Sequence, residues 1–467
     1  VCTSVFATFL GMDPIFVGGT EAQKEKWITK IAKSGCLVAY GATEAAAGSD
    51  LLHLKTKADR VMEGDKIVGY KLNGSKMWIT NGGVAGVYTI LARAPKGVSW
   101  FIVEKGTPGL SSDKHEDKHG IRLSDTTPVN LQDVYVPAEN LIGEVEGKGM
   151  RQAIAVFGYT RLMVSAMGLG AGWRALEHAV RYSQQRLVGG QPLSTKQGFT
   201  HKLIVPYAVR LEACRAYLEE VARRIDGGED GLQTEGAIAK LLATETANRA
   251  ADCAIQAFGG NGYVREFPVE KIKRDVKITC IYEGTSEILE LTTFRTRWQD
   301  NINADGRYYD KLADEMESLH AKGPDVGASA AAVALRALSR VLQACYDQKL
   351  THNQTAQMRL GDLMCYAETA AAFCREATRE TLSEAVVFDK ETWQAMSRIH
   401  ARQSASWIAG QGLDLVAGCS DQDSVGLIDT LNLKGVAKAQ KGNIADMDLV
   451  ARKLAEVFKE EPVTKPA

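Results

Sequence analysis

The sequence predicts a mainly helical α+β protein, in which an antiparallel β domain is inserted between helical segments and a further helical domain follows. Three successive sequence patterns in the 467-residue chain lead to this prediction. Helical periodicity fills residues 1–45, and short apolar runs separated by turn residues fill 46–140. Helical periodicity then returns over 141–299 and continues in alanine-rich form over 300–467. We therefore expect four segments: the remainder of an N-terminal helical domain, a β barrel or sandwich, a helical bundle and an additional C-terminal helical domain.

The first segment carries a clear helix with a stop signal. EAQKEKWITKIAKSG places Trp27, Ile28 and Ile31 on one face among charged residues and ends at Gly35. The chain begins with VCTSVFATFLG, in the middle of an apolar pattern and without an initiator methionine. We expect the natural protein to begin upstream, so a targeting segment is not visible in this sequence.

The β prediction depends on five short runs of strand-forming residues. They read IVGYKLNG, MWITNGG, VYTILARA, VSWFIVEKGTPG and VNLQDVYVP, each bounded by glycine, asparagine or proline. This spacing is typical of a small antiparallel domain.

The helical half shows long segments with defined ends. Residues 201–226 carry apolar side chains at three- and four-residue spacing, and Pro206 marks the first turn or a kink. LQTEGAIAKLLATETANRAADCAIQAFGG predicts a second long helix closed by Gly259 and Gly260. A glycine- and proline-bearing stretch at 321–329 precedes the alanine-rich helices.

Composition narrows the function classes. Lys plus Arg number 56 against 57 for Asp plus Glu, so no basic excess suggests binding to nucleic acid. No uninterrupted apolar stretch reaches the ~18 residues of a membrane span, and a peripheral membrane contact stays open. The nine cysteines show no CxxC pair or zinc spacing, which indicates reduced thiols and no metal site.

One polar loop has the chemistry of a ligand site. In YGATEAAAGSD, residues 40–50, small residues surround Thr43, Ser49, Glu44 and Asp50, so the backbone can approach a ligand while hydroxyls and amides donate to it. A polar helix-to-strand loop with Gly48 as its turn residue explains the same pattern.

Two further segments are equally ambiguous when taken alone. In KMWITNGG, Trp78 is either a core aromatic on a hairpin strand, which the residues alone favour, or a flat wall beside the Thr80 hydroxyl for a planar ligand. In QAFGGNGY, residues 256–263, the glycines either cap a helix or expose N–H groups to a phosphate-bearing ligand.

ITCIYEGTSEIL, residues 278–289, places the lone acid Glu283 between an apolar run and a helix start. Gly284 allows a sharp turn close to a ligand, and Thr285 and Ser286 are suited to cap the next helix. The acid is either a helix-capping residue or a catalytic base whose burial raises its pKa.

Taken in order, ATEAAAGSD, KMWITNGG, DVYVPAENLIG, QAFGGNGY, FPVEKIKRDVKI and IYEGTSEI closely resemble the acyl-CoA dehydrogenase flavoprotein family. The resemblance runs from residue 1 to about 297 and lacks the N-terminal part of the usual core. QMRLGDLMCYAETAAAF more loosely resembles the extra domain of the very-long-chain subgroup. This subgroup resemblance implies a homodimer.

The resemblance implies an FAD site shared between the β domain and the helical bundle. Thr43 would reach the pyrimidine end of the flavin, Trp78 would pack on its ring, and Thr80 would bond near N5. Arg186 and the segment from Gln256 to Gly260 would hold the pyrophosphate and adenosine of a neighbouring subunit. The implied cofactor-binding residues are Tyr40, Ala42, Thr43, Gly48, Ser49, Trp78, Ile79, Thr80, Arg186, Gln256, Gly259, Gly260, Thr285, Ser286 and Glu287. The implied substrate-binding residues are Ser49, Tyr159, Arg161, Tyr282, Glu283 and Gly284.

The resemblance also implies the reaction, an FAD-dependent α,β-dehydrogenation of an acyl-CoA to the trans-2-enoyl-CoA. Glu283 would take the α proton, and FAD N5 would accept the β hydride and pass electrons to an electron-transfer flavoprotein. Some family members carry the base directly before the arginine that matches Arg161, but Thr160 stands there and cannot serve. An acyl-CoA oxidase and a non-catalytic assembly protein of the same fold are the alternatives. The compartment would be the cytoplasm in a bacterium or the mitochondrial matrix in a eukaryote, and the preferred acyl chain stays open.

Overall fold

The structure is a computed structural model that describes residues 2–419 and 425–459. It confirms the predicted fold class, mainly α with one large sheet. The chain divides into two compact units, Val1–Thr160 and Arg161–Ala467.

The helices are α1 (Cys2–Gly18), α2 (Glu21–Ser34), α3 (Gly149–Gln185), α4 (Gln197–Phe199), α5 (Val205–Asp226), α6 (Gln233–Phe258), α7 (Pro268–Lys277), α8 (Ser286–Asn303), α9 (Tyr308–Lys322), α10 (Ala328–Asp347), α11 (Gln354–Thr378), α12 (Lys390–Cys419), α13 (Val425–Thr430), α14 (Leu433–Ala439) and α15 (Asn443–Val457). The strands are β1 (Val38–Gly41), β2 (Lys57–Glu63), β3 (Lys66–Thr80), β4 (Val87–Ala94), β5 (Gly97–Glu104), β6 (Leu110–Ser112), β7 (Thr126–Pro137), β8 (Leu187–Val188) and β9 (Gln191–Pro192).

The sheet of the first unit is mostly antiparallel. Strands β2, β3, β7 and β6 pair in that order, and β5 pairs antiparallel with β4. Strand β1 pairs parallel with β4, in the register Val38 opposite Val87. This strand lies inside the range 1–45 that the sequence assigned to helices. A strand of four residues is too short to show a recognisable alternation of apolar and polar side chains in the sequence.

Helices α1 and α2 pack against this sheet. The predicted helix is confirmed as α2, which has a capping box at Thr20 and ends at Gly35 in the left-handed conformation. Its Trp27 and Ile31 are buried in a cluster that also contains Trp100 of β5. The apolar face of α2 therefore supports the strands that carry the polar loop of residues 40–50.

Helix α3 begins in the first unit and continues into the second. Within the described part of the chain it is the one helix whose length and composition would allow it to cross a membrane, and 44% of its most apolar window is buried inside the fold. Buried core helices share this length and composition.

Long helices build the second unit. Helix α5 starts with Pro206 in its first turn, as predicted, and α6 ends at Gly259 with a positive φ. The helices before and after residue 300 share one hydrophobic core, since residues of α5 and α6 pack in the same cluster as those of α10, α11 and α12. The C-terminal helices are therefore part of the body that carries residues 278–289.

Candidate active site

The polar loop of residues 40–50 and the KMWITNGG segment lie side by side in the first unit. The Met77 N–H donates to the Thr43 carbonyl at 2.9 Å. Glu44 and Ala47 exchange backbone hydrogen bonds of 3.0 and 3.1 Å, which closes a tight turn. Two of the four motifs that the sequence left ambiguous are thus joined by a direct contact.

A buried ion pair, which the sequence reasoning missed, links the same two segments. Lys76 Nζ donates to Glu44 Oε1 at 2.7 Å and to the Ala42 carbonyl at 3.2 Å, and both side chains of the pair are buried. Burial opposes ionisation of Glu44, but hydrogen bonds from Lys76, Thr56 and Lys55 outweigh it and lower the pKa of this carboxyl. For Lys76 burial outweighs the carboxylate and lowers the pKa to about 8. The lysine therefore stays mainly protonated at neutral pH.

Trp78 is not a core aromatic, so the interpretation that the residues alone favoured is wrong. The pairing of β3 with β7 is irregular between Lys76 and Ile79, which leaves Met77 and Trp78 on a bulge. Trp78 has a φ of 57° and its side chain is 58% exposed. A bulge re-aims a side chain, and here it presents a flat indole surface while Ile79 beside it points into the core.

The remaining candidate residues of the first unit differ in exposure. Tyr40 is half-buried with its ring centroid 4.7 Å from that of Trp100, Ala42 is buried, and Gly48 and Ser49 are exposed. Thr80 is half-buried and pairs with Thr126 at the end of β3.

Tyr159 hydrogen-bonds to Asp13, another residue that sequence reasoning missed. Asp13 lies on α1 with an exposure of only 7%, and burial raises the pKa of its carboxyl to about 6.

In the second unit Glu283 occupies a strained turn. A 3-10 turn covers Ile278–Cys280, and Glu283 then adopts a φ of 57° and Gly284 a φ of 93°. A positive φ is unusual for glutamate and marks a position where the surrounding structure imposes the conformation. The expected apolar setting is only partly present, because Thr279 and Cys280 are buried while Ile281 is 49% exposed.

Two buried cations hold the backbone of this turn. Arg161 Nε donates to the Glu283 carbonyl at 3.4 Å, and Lys240 Nζ donates to the Gly284 carbonyl at 2.7 Å. Arg161 also donates through Nη1 to the Gln233 carbonyl at 3.3 Å. Burial lowers the pKa of Arg161, and the Glu283 carboxylate opposes this shift. The candidate base thus sits beside positive charge, on a turn whose two successive carbonyls are fixed.

The residues after Glu283 start α8 as predicted. Thr285 caps the helix by accepting a hydrogen bond from the Ile288 N–H at 3.4 Å. Ser286 is buried and donates to Glu245 Oε1 at 2.6 Å, while Glu287 is exposed. Tyr282 is half-buried, and burial raises the pKa of its hydroxyl.

A third group of candidate residues forms an exposed face at the ends of α3 and α6. Arg186 follows α3 and leads into a hairpin whose two glycines have positive φ, and Gln256, Gly259 and Gly260 are exposed at the end of α6. Tyr182 joins the two ends, because its ring stacks on Phe258 at 4.2 Å and its hydroxyl accepts from Asn261 Nδ2 at 3.1 Å. A Cβ atom built on any of the glycines at 189, 190, 259 or 260 would meet open space.

The structure therefore groups the candidates inside each unit. Thr43, Trp78 and Thr80 are close in the first unit, and Arg161, Glu283 and Gly284 are close in the second. Among the described residues there is no group of three His, Cys, Asp or Glu side chains that could hold a metal ion.

Comparison with protein-family models gives two matches. The middle domain of acyl-CoA dehydrogenase matches residues 39–134, and the C-terminal domain of acyl-CoA dehydrogenase matches residues 147–296. These ranges contain the polar loop, the Trp78 bulge, the Arg186 hairpin and the Glu283 turn.

Individual proteins agree with these matches. The chain is 42% identical over 286 residues to the short-chain-specific acyl-CoA dehydrogenase of Megasphaera elsdenii, covering 60% of this chain and 73% of that protein. The crystal structure of an acyl-CoA dehydrogenase complexed with FAD from Bacillus anthracis matches with a TM-score of 0.82 and 25% identity over 98% of this chain and 82% of that one. A chain in the structure titled electron transferring flavoprotein of Acidaminococcus fermentans matches with a TM-score of 0.59 and 36% identity, over 63% of this chain and 77% of that one.

Proposed function

The chain belongs to the acyl-CoA dehydrogenase family, and we propose that Glu283 is the base that takes the α proton from its acyl-CoA substrate. The enzyme is an oxidoreductase that acts on acyl-CoA with FAD as its cofactor. The finer proposal is that it converts a saturated acyl-CoA into the trans-2-enoyl-CoA, as a step of fatty-acid β-oxidation or related acyl-CoA catabolism.

The observation that carries this proposal is the turn at Glu283. Glu283 has a strained backbone with a positive φ, and Arg161 and Lys240 hydrogen-bond to the carbonyls of Glu283 and Gly284. These contacts fix the position of the carboxylate. Strain of this kind costs about 1 to 3 kcal/mol and concentrates at functional sites. A helix-capping role for the acid is disfavoured, because Thr285 supplies the cap of α8.

The reaction needs a base and a two-electron acceptor. Glu283 forms the new bond to the α proton, and the electrons of the broken Cα–H bond become part of the Cα=Cβ double bond. Bound FAD supplies the acceptor for the hydrogen and the electron pair that leave Cβ. Donors on the thioester carbonyl favour proton removal because they stabilise the developing enolate. Thr160 is not an alternative base, since its hydroxyl is buried and donates to the Val156 carbonyl.

The residues present fit a flavin. The exposed indole of Trp78 offers the flat apolar surface that an isoalloxazine ring needs, with Thr43 and Thr80 as neighbouring hydroxyl donors. Arg186 and the open glycines 259 and 260 supply a cation and accessible backbone for a pyrophosphate. We propose that the flavin ring binds to the first group, and that the second group holds the pyrophosphate and adenosine of the FAD of a neighbouring subunit.

The electron acceptor proposed is an electron-transfer flavoprotein. The match to a chain in a structure titled with that protein supports this choice over oxygen, which an acyl-CoA oxidase would use. A non-catalytic assembly role is disfavoured because the Glu283 turn and the Trp78 bulge are both formed. The match to the Bacillus anthracis enzyme covers 98% of this chain and so includes the C-terminal helices. This match supports the proposal that the protein is of the two-domain type that resembles very-long-chain acyl-CoA dehydrogenase. For this type we propose a homodimer.

Glu283→Gln tests the proposal, because it keeps the shape of the side chain and removes the base. We expect the variant to purify with its yellow flavin spectrum and to lose at least 1,000-fold in the rate of flavin bleaching by acyl-CoA under anaerobic conditions, about 4 kcal/mol of barrier. Glu266→Gln, an exposed carboxylate after α6, is the matched control and should reduce at the normal rate. A normal rate for Glu283→Gln would overturn the assignment.

A panel of acyl-CoAs of differing length and branching then identifies the substrate by the same anaerobic measurement. Rapid peroxide formation under air would favour the oxidase, and a purified protein without flavin would favour the assembly protein.

A further inference from the structure

Lys240 is a lysine on α6 with no exposed surface, placed directly against the Glu283 turn. Its Nζ donates to the Gly284 carbonyl at 2.7 Å, and its side chain is among the largest fully buried ones of the described chain. Lysine is almost never buried completely without a specific partner. The partner here is the backbone of the residue that follows the proposed base.

The hydrogen bond fixes the orientation of a peptide plane. Because a trans peptide is planar, holding the Gly284 carbonyl toward Lys240 turns the N–H of Thr285 in the opposite direction. Arg161 does the same one residue earlier, where its bond to the Glu283 carbonyl turns the N–H of Gly284 away. Two successive peptide planes are thus set by two buried cations, and together they define the turn that aims the Glu283 side chain.

Lys240 also brings positive charge to the turn. Burial lowers the pKa of its ammonium to about 8, while Cys280, Glu283 and Glu245 act in the opposite direction and Arg161 adds to the lowering. These four groups act on Lys240 from α3, from α6 itself, from the 3-10 turn and from the Glu283 turn. With a pKa of about 8 the group is mainly protonated at neutral pH, so the charges of both Lys240 and Arg161 act on the Glu283 carboxylate.

A packing role alone does not explain a lysine at this position. Desolvation of a buried charge is strongly unfavourable, and an apolar side chain of similar volume would fill the same space without that penalty. The neighbours of Lys240 on α6, Ala239 and Leu241, show that the helix is apolar here.

We propose that Lys240 is a positioning residue of the reaction, which holds the Glu283–Gly284 turn by its bond to the Gly284 carbonyl and keeps the Glu283 carboxylate ionised by its charge. This inference rests on the proposed role of Glu283 as the base. It gives α6 an indirect part in the reaction, through the turn that carries the base.

The test compares two variants of Lys240 in the flavin-loaded enzyme. Lys240→Met removes both the charge and the donor, and Lys240→Arg keeps both in a different shape. The rate of anaerobic flavin reduction by acyl-CoA is measured across pH 5 to 9, together with the flavin content and the dissociation constant of a non-reducible acyl-CoA analogue. Lys273→Met is the matched control, because Lys273 donates to a carbonyl of the same helix at Asn248 and does not touch the turn.

We expect Lys240→Met to reduce its flavin at least tenfold more slowly, with the acid limb of the profile displaced to higher pH by about one unit, because loss of a nearby cation destabilises the carboxylate. Lys240→Arg should keep the acid limb of the wild type whatever its maximal rate, and Lys273→Met should behave as the wild type. Each of the two Lys240 variants tests the proposal separately, so if one does not fold, the pH profile of the other still gives the result.

An unchanged acid limb in folded Lys240→Met, or a displaced limb in Lys240→Arg, would overturn the proposal. Glu283→Gln measured in parallel separates this failure from that of the proposed function. If Glu283→Gln is inactive while Lys240→Met has a normal profile, only the positioning role falls. If Glu283→Gln itself reduces flavin normally, the base assignment falls first.

Discussion

Lys76 Nζ lies 2.7 Å from Glu44 Oε1 in the interior of the first unit, and this pair joins two segments that are 32 residues apart in sequence. Glu44 further accepts the N–H groups of Lys55 and Thr56, at 2.6 and 3.0 Å. The pair therefore fixes the loop that carries Thr43 against the bulge that carries Trp78. A buried ion pair of this kind sets geometry more reliably than it adds stability.

Lys76→Met should destabilise the first unit by about 3 kcal/mol, because it leaves the Glu44 carboxylate buried with only backbone donors. Denaturant unfolding of the flavin-free protein measures this loss. The double variant Lys76→Met with Glu44→Gln should recover part of the stability but still bind FAD less tightly. A surface pair gives the contrast, since Lys26→Met breaks the exposed bond to Glu139 and should cost less than about 1 kcal/mol. Equal losses in the two single variants would contradict a special role for the buried pair.

Trp78 should matter to the flavin and little to the fold. Because its side chain is 58% exposed, Trp78→Ala should change the unfolding free energy of the flavin-free protein by no more than about 0.5 kcal/mol. Its affinity for FAD should fall about tenfold, whereas Trp78→Phe, which keeps a flat ring, should retain most of the affinity. Titration of the flavin-free protein with FAD, followed by fluorescence, measures the affinity of both variants, and denaturant unfolding measures the stability. The buried Trp100 is the opposite case, and Trp100→Ala should cost about 4 kcal/mol of stability.

Arg186 should contribute to flavin binding without supporting the fold. The residue is exposed beyond the end of α3, so Arg186→Met should leave the melting temperature of the flavin-free protein unchanged. The dissociation constant for FAD should rise at least tenfold, because a charge-assisted contact to a pyrophosphate is lost. Arg265→Met, another exposed arginine beyond α6, is the matched control. Equal FAD affinities for the two variants would remove Arg186 from the cofactor site.

Sequence patterns predicted the elements well wherever one periodicity covered a long segment. Helix α2, with its apolar face and Gly35 cap, and helix α6, with its Gly259 cap, lie where the periodicity placed them. The short strand β1 was not recognised because four residues give no periodicity, and the Trp78 bulge was not recognised because a bulge interrupts alternation without a residue signature. Backbone irregularity of this kind depends on the paired strand β7, which is distant in sequence, since Ile79 pairs with Thr127 and Lys76 with Val129 on the two sides of the bulge.

The candidate site was predicted only in part for a similar reason. The lone acid in ITCIYEGTSEIL pointed to Glu283, but the cations that hold its backbone come from α3 and α6. A signal for Lys240 was present, since it is the single charged residue in GAIAKLLA, and a lysine in an apolar helical stretch has to be paired. Its partner, a main-chain carbonyl 44 residues away, has no sequence signal at all.

Asp13 gives the protein a pH dependence of known sign. Burial raises its pKa from 3.8 to about 6, so between these values the folded state holds a proton that the unfolded state has released. Stability from this group is therefore full below pH 3.8 and is lost as the pH rises to about 6, a change of about 3 kcal/mol. Asp13→Asn should raise the unfolding free energy by about 1 to 3 kcal/mol at pH 7.5 and leave it unchanged near pH 4. Asp50→Asn on the exposed loop serves as control, and an equal gain at both pH values would contradict the role of ionisation.

Glu368 should be the most sensitive carboxylate of the C-terminal helices. From α11 it accepts Arg297 Nε at 2.7 Å and Nη2 at 3.0 Å, and the Tyr309 hydroxyl at 3.1 Å, while Arg297 Nη2 also donates to Glu235 of α6 at 2.9 Å. The pair is buried, so Glu368→Gln leaves a desolvated guanidinium with one carboxylate fewer and should cost about 3 kcal/mol of unfolding free energy.

Glu376→Gln is the matched control for this prediction, because Glu376 lies on the same helix and is also buried, but its partner Arg223 has a side chain that is 40% exposed. That variant should cost less than about 1 kcal/mol, since water can take the place of the lost carboxylate. Urea unfolding of both variants measures the difference. Similar losses of unfolding free energy in the two variants would mean that α11 is stabilised by the packing of its apolar face and not by the Arg297–Glu368 pair. A larger loss for Glu368→Gln would show that the C-terminal helices are tied through Arg297 to α8, the helix that starts at the Glu283 turn.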